Sequence, residues 1–210
     1  MKRLLLLSVG IIGFALSDSL GQKTRDEFSI GIKVGSNYSN VFDSKGEQFV
    51  ADGKYGLAAG AFLSLPVGKL IGIQPEVIYS EKGFKATGAF LGSNYSATRT
   101  TTYIDVPILL AIKPISYLTI LAGPQYSFLI KQNNNFTGTL ATIDQQKFFD
   151  NDNIRKNVLG LTGGVDINLS SFVVSARAGW DVQNNNGDGT STTPRYKNAW
   201  YQATIGYRLF

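Results

Sequence analysis

The stretch Phe172-Val-Val-Ser-Ala-Arg-Ala-Gly-Trp-Asp-Val182 decides the fold of this chain. Every second position carries an apolar side chain, from Phe172 through Val174 to Trp180. From Ser175 on, the alternate positions carry small or charged side chains, namely Ser175, Arg177, Gly179 and Asp181. A period of two indicates a β-strand with two different faces. Aromatic residues at both ends of the apolar face are typical of a strand that crosses a membrane between its two interfaces.

The same alternation recurs along the chain and predicts eight strands. The predicted strands are 28–38, 55–65, 70–81, 102–112, 117–130, 157–168, 172–182 and 199–210. Abundant Gly, 23 residues, and 12% aromatic residues suit strands and turns better than helices. The chain is therefore predicted to be all-β.

The connections between these strands alternate in length. The short ones are Pro66–Lys69, Lys113–Ser116 and Leu169–Ser171. The long polar ones are Asn40–Lys54, Gly83–Thr101, Lys131–Lys156 and Val182–Asn198. Transmembrane barrels combine short periplasmic turns with longer external loops. The pattern predicts an eight-stranded antiparallel up-and-down transmembrane β-barrel with both termini on the periplasmic side.

The two strand faces are assigned by their composition. The non-apolar face is mostly Gly, Ala, Ser and Thr, which suits the crowded interior of a small barrel. Isolated charges share that face and are expected to pair there as a structural network: Lys33, Glu76, Asp105, Asp166, Arg177 and Arg208. The opposite assignment, with the apolar face inside, would describe a soluble lipocalin-like ligand-binding barrel.

Three prolines argue against the predicted barrel strands, because each removes a backbone hydrogen-bond donor from a central strand. Pro75, Pro107 and Pro124 are therefore expected to mark bulges or strand ends.

The N-terminus has the features of a cleaved secretory signal. Lys2 and Arg3 precede the apolar run Leu4–Leu16, which is shorter than the roughly 20 residues of a transmembrane helix. Cleavage before Gln22 divides the chain into a signal peptide, 1–21, and a barrel domain, 22–210, and cleavage before Asp18 is the alternative. Without cysteine there is no lipid-attachment signal.

Composition excludes several kinds of chemistry. With no Cys and no His, the chain has no disulfide, no thiolate nucleophile and no imidazole base. Glu76 and Asp105 lie on adjacent strands and both point inward, where a structural role is favoured over acid–base catalysis. The segments Asp150–Asn153 and Asn184–Asp188 hold oxygen ligands but lack an EF-hand spacing, so solvated loops are favoured over a metal site. No cofactor is expected. The net charge of +5 is scattered, which argues against nucleic acid as a partner.

Four stretches resemble a known family. They are Gly31-Ile-Lys-Val-Gly-Ser-Asn-Tyr-Ser-Asn40, Gly72-Ile-Gln-Pro-Glu-Val-Ile-Tyr-Ser-Glu-Lys-Gly83, Tyr103-Ile-Asp-Val-Pro-Ile-Leu-Leu110 and Ala122-Gly-Pro-Gln-Tyr-Ser127. Together they resemble the PorT-like outer-membrane β-barrel domains of Bacteroidota, which implies a Gram-negative outer-membrane location. The end Gly206-Tyr-Arg-Leu-Phe210 resembles the signal read by the barrel-assembly machinery, although alternation puts Leu209 rather than Phe210 on the lipid face.

The expected function is a non-enzymatic structural or interaction role in the cell envelope, for example as an accessory to protein secretion. Expected partners are outer-membrane lipid, the assembly machinery and an envelope protein bound through the external loops. Phe136, Phe148 and Phe149 are the candidates for that contact, with packing inside the loop as the alternative. A small-solute channel is a further alternative, although eight strands leave little lumen.

Overall fold

A computed structural model describes residues 27–42, 50–90, 93–138, 155–185 and 196–209. Its strands are β1 (Ser29–Phe42), β2 (Val50–Pro66), β3 (Ile71–Phe90), β4 (Ser93–Ile115), β5 (Leu118–Gly138), β6 (Asn157–Leu169), β7 (Phe172–Asp181) and β8 (Lys197–Arg208). They form a closed barrel in sequence order. Every neighbouring pair is antiparallel, including β1 with β8, and closure gives the backbone hydrogen bonds that hydrocarbon requires. The predicted fold class is confirmed.

The apolar face of each strand points outward. In β1, Ile32 and Val34 are 54% and 57% exposed, whereas Lys33 between them is only 4% exposed. Tyr55 on β2 reaches 75%. A barrel in water would hide such side chains, so the alternative of a soluble lipocalin-like barrel is wrong.

Exposed aromatic side chains cluster at both ends of the apolar band. At the end that carries the long connections, the rings of Tyr38 and Tyr55 lie 5.0 Å apart between centroids. At the end that carries the short turns, Phe172 and Tyr207 lie 5.2 Å apart. The aromatic residues at the two ends form the two girdles that transmembrane barrels place at the membrane interfaces.

One predicted long loop is wrong. The segment 83–101 is mostly strand, because β3 continues to Phe90 and β4 begins at Ser93. β5 also extends, to Gly138. The polar composition of these segments suggested a loop, yet their inward positions still alternate, as Phe84 and Ala97 show. The parts of β3, β4 and β5 beyond the aromatic girdle (82–90, 93–102 and 131–138) are called the upper wall below.

The three prolines are neither bulges nor strand ends. Pro75, Pro107 and Pro124 lie inside β3, β4 and β5. Near them, three ladders each skip two residue pairs and then resume in the same register. In the β2–β3 ladder the interruption lies between the pairs Phe62↔Glu76 and Leu65↔Ile73. In the β3–β4 ladder it lies between Pro75↔Ile108 and Ile78↔Asp105. In the β4–β5 ladder it lies between Pro107↔Gln125 and Leu110↔Ala122. Missing proline N–H donors weaken the ladders without shifting them. These interruptions are called the proline seam below.

Candidate functional site

A layer of buried charges crosses the middle of the barrel. The Lys33 ammonium of β1 pairs with the Glu76 carboxylate of β3. The Arg177 guanidinium of β7 lies 3.4 Å from Glu76 and 2.7 Å from the carboxylate of Asp166 on β6. The side-chain amide of Gln74 donates to Glu76 at 2.9 Å and to Asp166 at 3.1 Å. These five residues are called the central layer below, and they connect four strands across the lumen.

The charges of the central layer cancel, since two cations face two carboxylates. Each of the four ionic side chains is at least 90% buried. An unpaired charge there would cost several kcal/mol, so the layer is tolerable only because every charge has a partner. Arg177 suits its position between two carboxylates because the planar guanidinium offers donors in several directions.

A second cluster lies nearer the end of the barrel that carries the long connections. The Lys82 ammonium is 2.8 Å from the Asp105 carboxylate and 3.8 Å from the ring centroid of Trp200. Asp181 accepts hydrogen bonds from Asn198, from the backbone N–H at 3.1 Å and from the side-chain amide at 2.6 Å. A cation over an indole ring is attracted by the ring's negative face. Lys82 is thus held by both a carboxylate and an aromatic ring.

The space between the two charged groups is almost filled. The Asn37 side-chain amide donates to Ser80 at 2.9 Å, and the Gln202 amide donates to Asn37 at 2.9 Å. Beside them lies a cavity of about 10 Å³ that is bordered by Glu76 and Trp200, among others. That volume holds about one water molecule. The part of the interior that the structure describes therefore has side chains where a pore would need open space.

An apolar cluster lies on the inner face of the upper wall. It consists of Phe84, Ala86, Ala97 and Tyr196. The Arg99 guanidinium donates to the Tyr196 hydroxyl at 2.9 Å and to the Asn134 side-chain oxygen at 3.0 Å. The upper wall is thus attached, through packing and a hydrogen bond, to Tyr196, the residue just before β8.

The architecture agrees with the family comparison. A family described as "Outer membrane protein beta-barrel domain" matches residues 20–184. The chain belongs to this family. Its location is accordingly the outer membrane, with lipid around the barrel.

Several solved outer-membrane barrels are similar to this family member. Ail of Yersinia pestis is 12% identical, with 87% of this chain and 99% of that chain covered and a TM-score of 0.44. The Neisserial surface protein A is 10% identical, with 87% and 99% covered and a TM-score of 0.45. OprG of Pseudomonas aeruginosa is 12% identical, with 91% and 99% covered and a TM-score of 0.45. Curated proteins gave no match.

The six charges predicted for the interior of this outer-membrane barrel occupy three places. Lys33, Glu76, Asp166 and Arg177 meet in the central layer. Asp105 lies higher and pairs with Lys82 instead. Arg208 lies at the short-turn end, where its guanidinium donates to the Asn168 side chain and, at 3.2 Å, to the Ser170 carbonyl.

Sequence reasoning missed three residues that shape the interior: Gln74, Lys82 and Trp200. Lys82 lies just beyond the predicted strand 70–81, whereas β3 continues to Phe90. The run of inward positions Gln74, Glu76, Ile78, Ser80 and Lys82 was the available signal, since all five share one parity. Trp200 has the parity of Gln202, and that parity places it inward too.

The predicted contact residues fall in different regions. Phe136 is partly buried and packs against the apolar cluster on the inner face of the upper wall. Phe148 and Phe149 lie outside the described residues, as does the segment Asp150–Asn153. Within the described ranges no three acidic residues gather as a metal-binding group. No α-helix long and apolar enough to cross a membrane occurs in the same ranges.

Proposed function

We propose that this outer-membrane barrel is a non-enzymatic, non-conducting protein with a structural or interaction role in the cell envelope. The observation that carries the proposal is the central layer, whose ion pairs cross the lumen from β1 and β3 to β6 and β7. Ion pairs of this kind fill the interior of a small barrel and hold opposite walls together. The interior carboxylates are engaged with cations or amides, which favours a structural role for them over a catalytic one.

The upper wall is the surface that suits a partner. Its outward positions are polar, as at Ser96, Thr98, Asn133 and Asn135, and they include the exposed lysines Lys85 and Lys131. Its strands form continuous antiparallel ladders, which make a firmer platform than a loop. An envelope protein is the partner that this face fits, and an accessory role in secretion, as the PorT-like motifs suggest, is one form of that function.

The proposal also covers how the protein is exported and assembled into the outer membrane. Residues 1–21 act as a signal peptide, and both termini lie on the periplasmic side, where the short turns are. Leu209 is 52% exposed beside the last strand, which supports its position on the lipid face. The barrel-assembly machinery would therefore meet an apolar residue next to the C-terminus.

Planar-bilayer recording tests the closed interior. We expect the purified barrel to give no steady conductance, because the central layer and the second cluster occupy the lumen. A 16-stranded porin reconstituted in the same way is the positive control. A stable open level for the wild-type protein would contradict the proposal and support the small-solute channel instead.

Site-specific photocrosslinking in cells tests the interaction role. A photoreactive amino acid at Asn133, which is exposed on the upper wall, should yield one or more defined protein adducts. The matched control places the photoreactive amino acid at the adjacent Asn134, which faces inward and accepts a hydrogen bond from Arg99. This control should yield no protein adduct. Absence of adducts at Asn133, Asn135 and Thr98 alike would refute a partner on this face.

A further inference from the structure

A groove runs along the lipid-facing surface of β1 to β4. Its volume is about 300 Å³. The outward side chains that line it are Ile30, Ala61, Leu63, Pro75, Val77 and Val106. All of them are apolar, and all lie on the strand faces that point away from the lumen. The buried residues Phe62 and Glu76, whose positions face the lumen, complete the lining.

The proline seam explains why the groove exists. Next to Pro75, the β2–β3 ladder lacks two residue pairs, and the β3–β4 ladder lacks the two pairs that follow. Ala61 contributes only a methyl group opposite Ile32 and Val77, where a larger side chain would fill the surface. A weakened ladder and a small side chain together leave a recess in an otherwise continuous apolar band.

A recess in the hydrocarbon region must be filled, because an empty one forfeits the dispersion contacts of its lining atoms. We infer that the groove binds one acyl chain of a membrane phospholipid, which lies along β2 and β3 over the proline seam. The inference rests on the membrane location in the proposed function but not on the partner or the closed interior. Close packing drives such binding, since the acyl chain is in an apolar medium both in the groove and in the bilayer.

The arrangement of aromatic residues indicates from which leaflet the acyl chain enters the groove. Tyr55 and Tyr79 of the external girdle stand on β2 and β3 above the groove. At the opposite end the outward residues of these two strands are aliphatic, including Leu65, Ile71 and Ile73. Below the groove the girdle is therefore open on β2 and β3, with the exposed Phe28 standing beside this gap just before β1. The acyl chain enters through the gap from the leaflet on the short-turn side, which is the periplasmic leaflet.

Photoreactive phospholipids test this assignment in reconstituted vesicles, with the sites of insertion mapped by mass spectrometry. We expect insertion at Ala61 and Val77 to exceed that at Ala176, an exposed alanine near the middle of β7, by about threefold, which corresponds to about 0.7 kcal/mol. A diazirine near the lipid carbonyl should mark Ile30 and Leu63, and one near the chain terminus should mark Val77 and Val106.

Two variants complete the experiment. Ala61→Trp fills the groove and should abolish the excess insertion at Val77, whereas Ala176→Trp should leave it unchanged. A heat-dependent shift in gel mobility identifies the folded variants, and Ala61→Leu replaces Ala61→Trp if the latter does not fold. Equal insertion around the barrel at this depth would overturn the site. The reverse order of carbonyl and terminal labels would overturn the periplasmic leaflet as the source.

Discussion

Replacing Glu76 by Gln should lower the free energy of unfolding by about 3–5 kcal/mol, the usual cost of breaking a buried ion pair. Glu76 accepts from Lys33, Gln74 and Arg177 at once. The substitution keeps the shape but leaves two buried cations with the single carboxylate of Asp166. Urea unfolding of the barrel in lipid vesicles, followed by tryptophan fluorescence, measures the change.

Two comparisons separate loss of charge balance from loss of a side chain. Glu81→Gln, on the outward side of the same strand, should cost less than about 1 kcal/mol, because Glu81 is only half-buried. Adding Lys33→Met to Glu76→Gln leaves the neutral pair of Arg177 and Asp166, and it should recover more than half of the lost stability. If Glu76→Gln costs no more than Glu81→Gln, the central layer does not stabilise the barrel.

Replacing Trp200 by Ala should cost about 3–5 kcal/mol, the range for large-to-small changes in a packed interior. Trp200 is 2% exposed and lies under the Lys82 ammonium. Its ring also packs against Gly179, whose missing side chain makes room for it. The substitution opens a cavity and removes the cation–π contact, yet the central layer remains, so no conductance should appear.

The chain contains only two tryptophans, which supplies the control. Trp180 lies on the outward face of β7, in the aromatic girdle at the long-connection end, and is 47% exposed. Trp180→Ala should cost less than half as much as Trp200→Ala in the same urea titration, because surrounding lipid can fill the space. Equal losses would show that the interior tryptophan contributes no more than a girdle residue.

The strands and their faces could be predicted because each strand separates two environments. Where one face meets lipid and the other meets a crowded lumen, alternation is strong, as in β7. The upper wall could not be predicted in this way, since its outward face meets water and carries Thr and Asn. Those residues are as common in loops as in exposed strands, so residues 83–101 looked like a loop.

The sequence did not predict which interior charges pair with each other, for a related reason. Alternation shows that Glu76 and Asp105 both point inward but does not show their heights. The register pairs Asp105 with Ile78, the next inward position above Glu76. Asp105 therefore meets Lys82 rather than Arg177, and the charges divide into separate groups. Register depends on how all eight strands close, which no single strand encodes.

The length of β4 gives the protein a vertical reach. From Ile104, at the top of the apolar band, the strand continues for eleven residues to Ser93. At about 3.3 Å per residue and a strand tilt of about 40°, this lifts its tip by roughly 25–30 Å. The tip therefore stands clear of the lipid headgroups. A large molecule could reach it from the aqueous phase on the long-connection side without touching the bilayer.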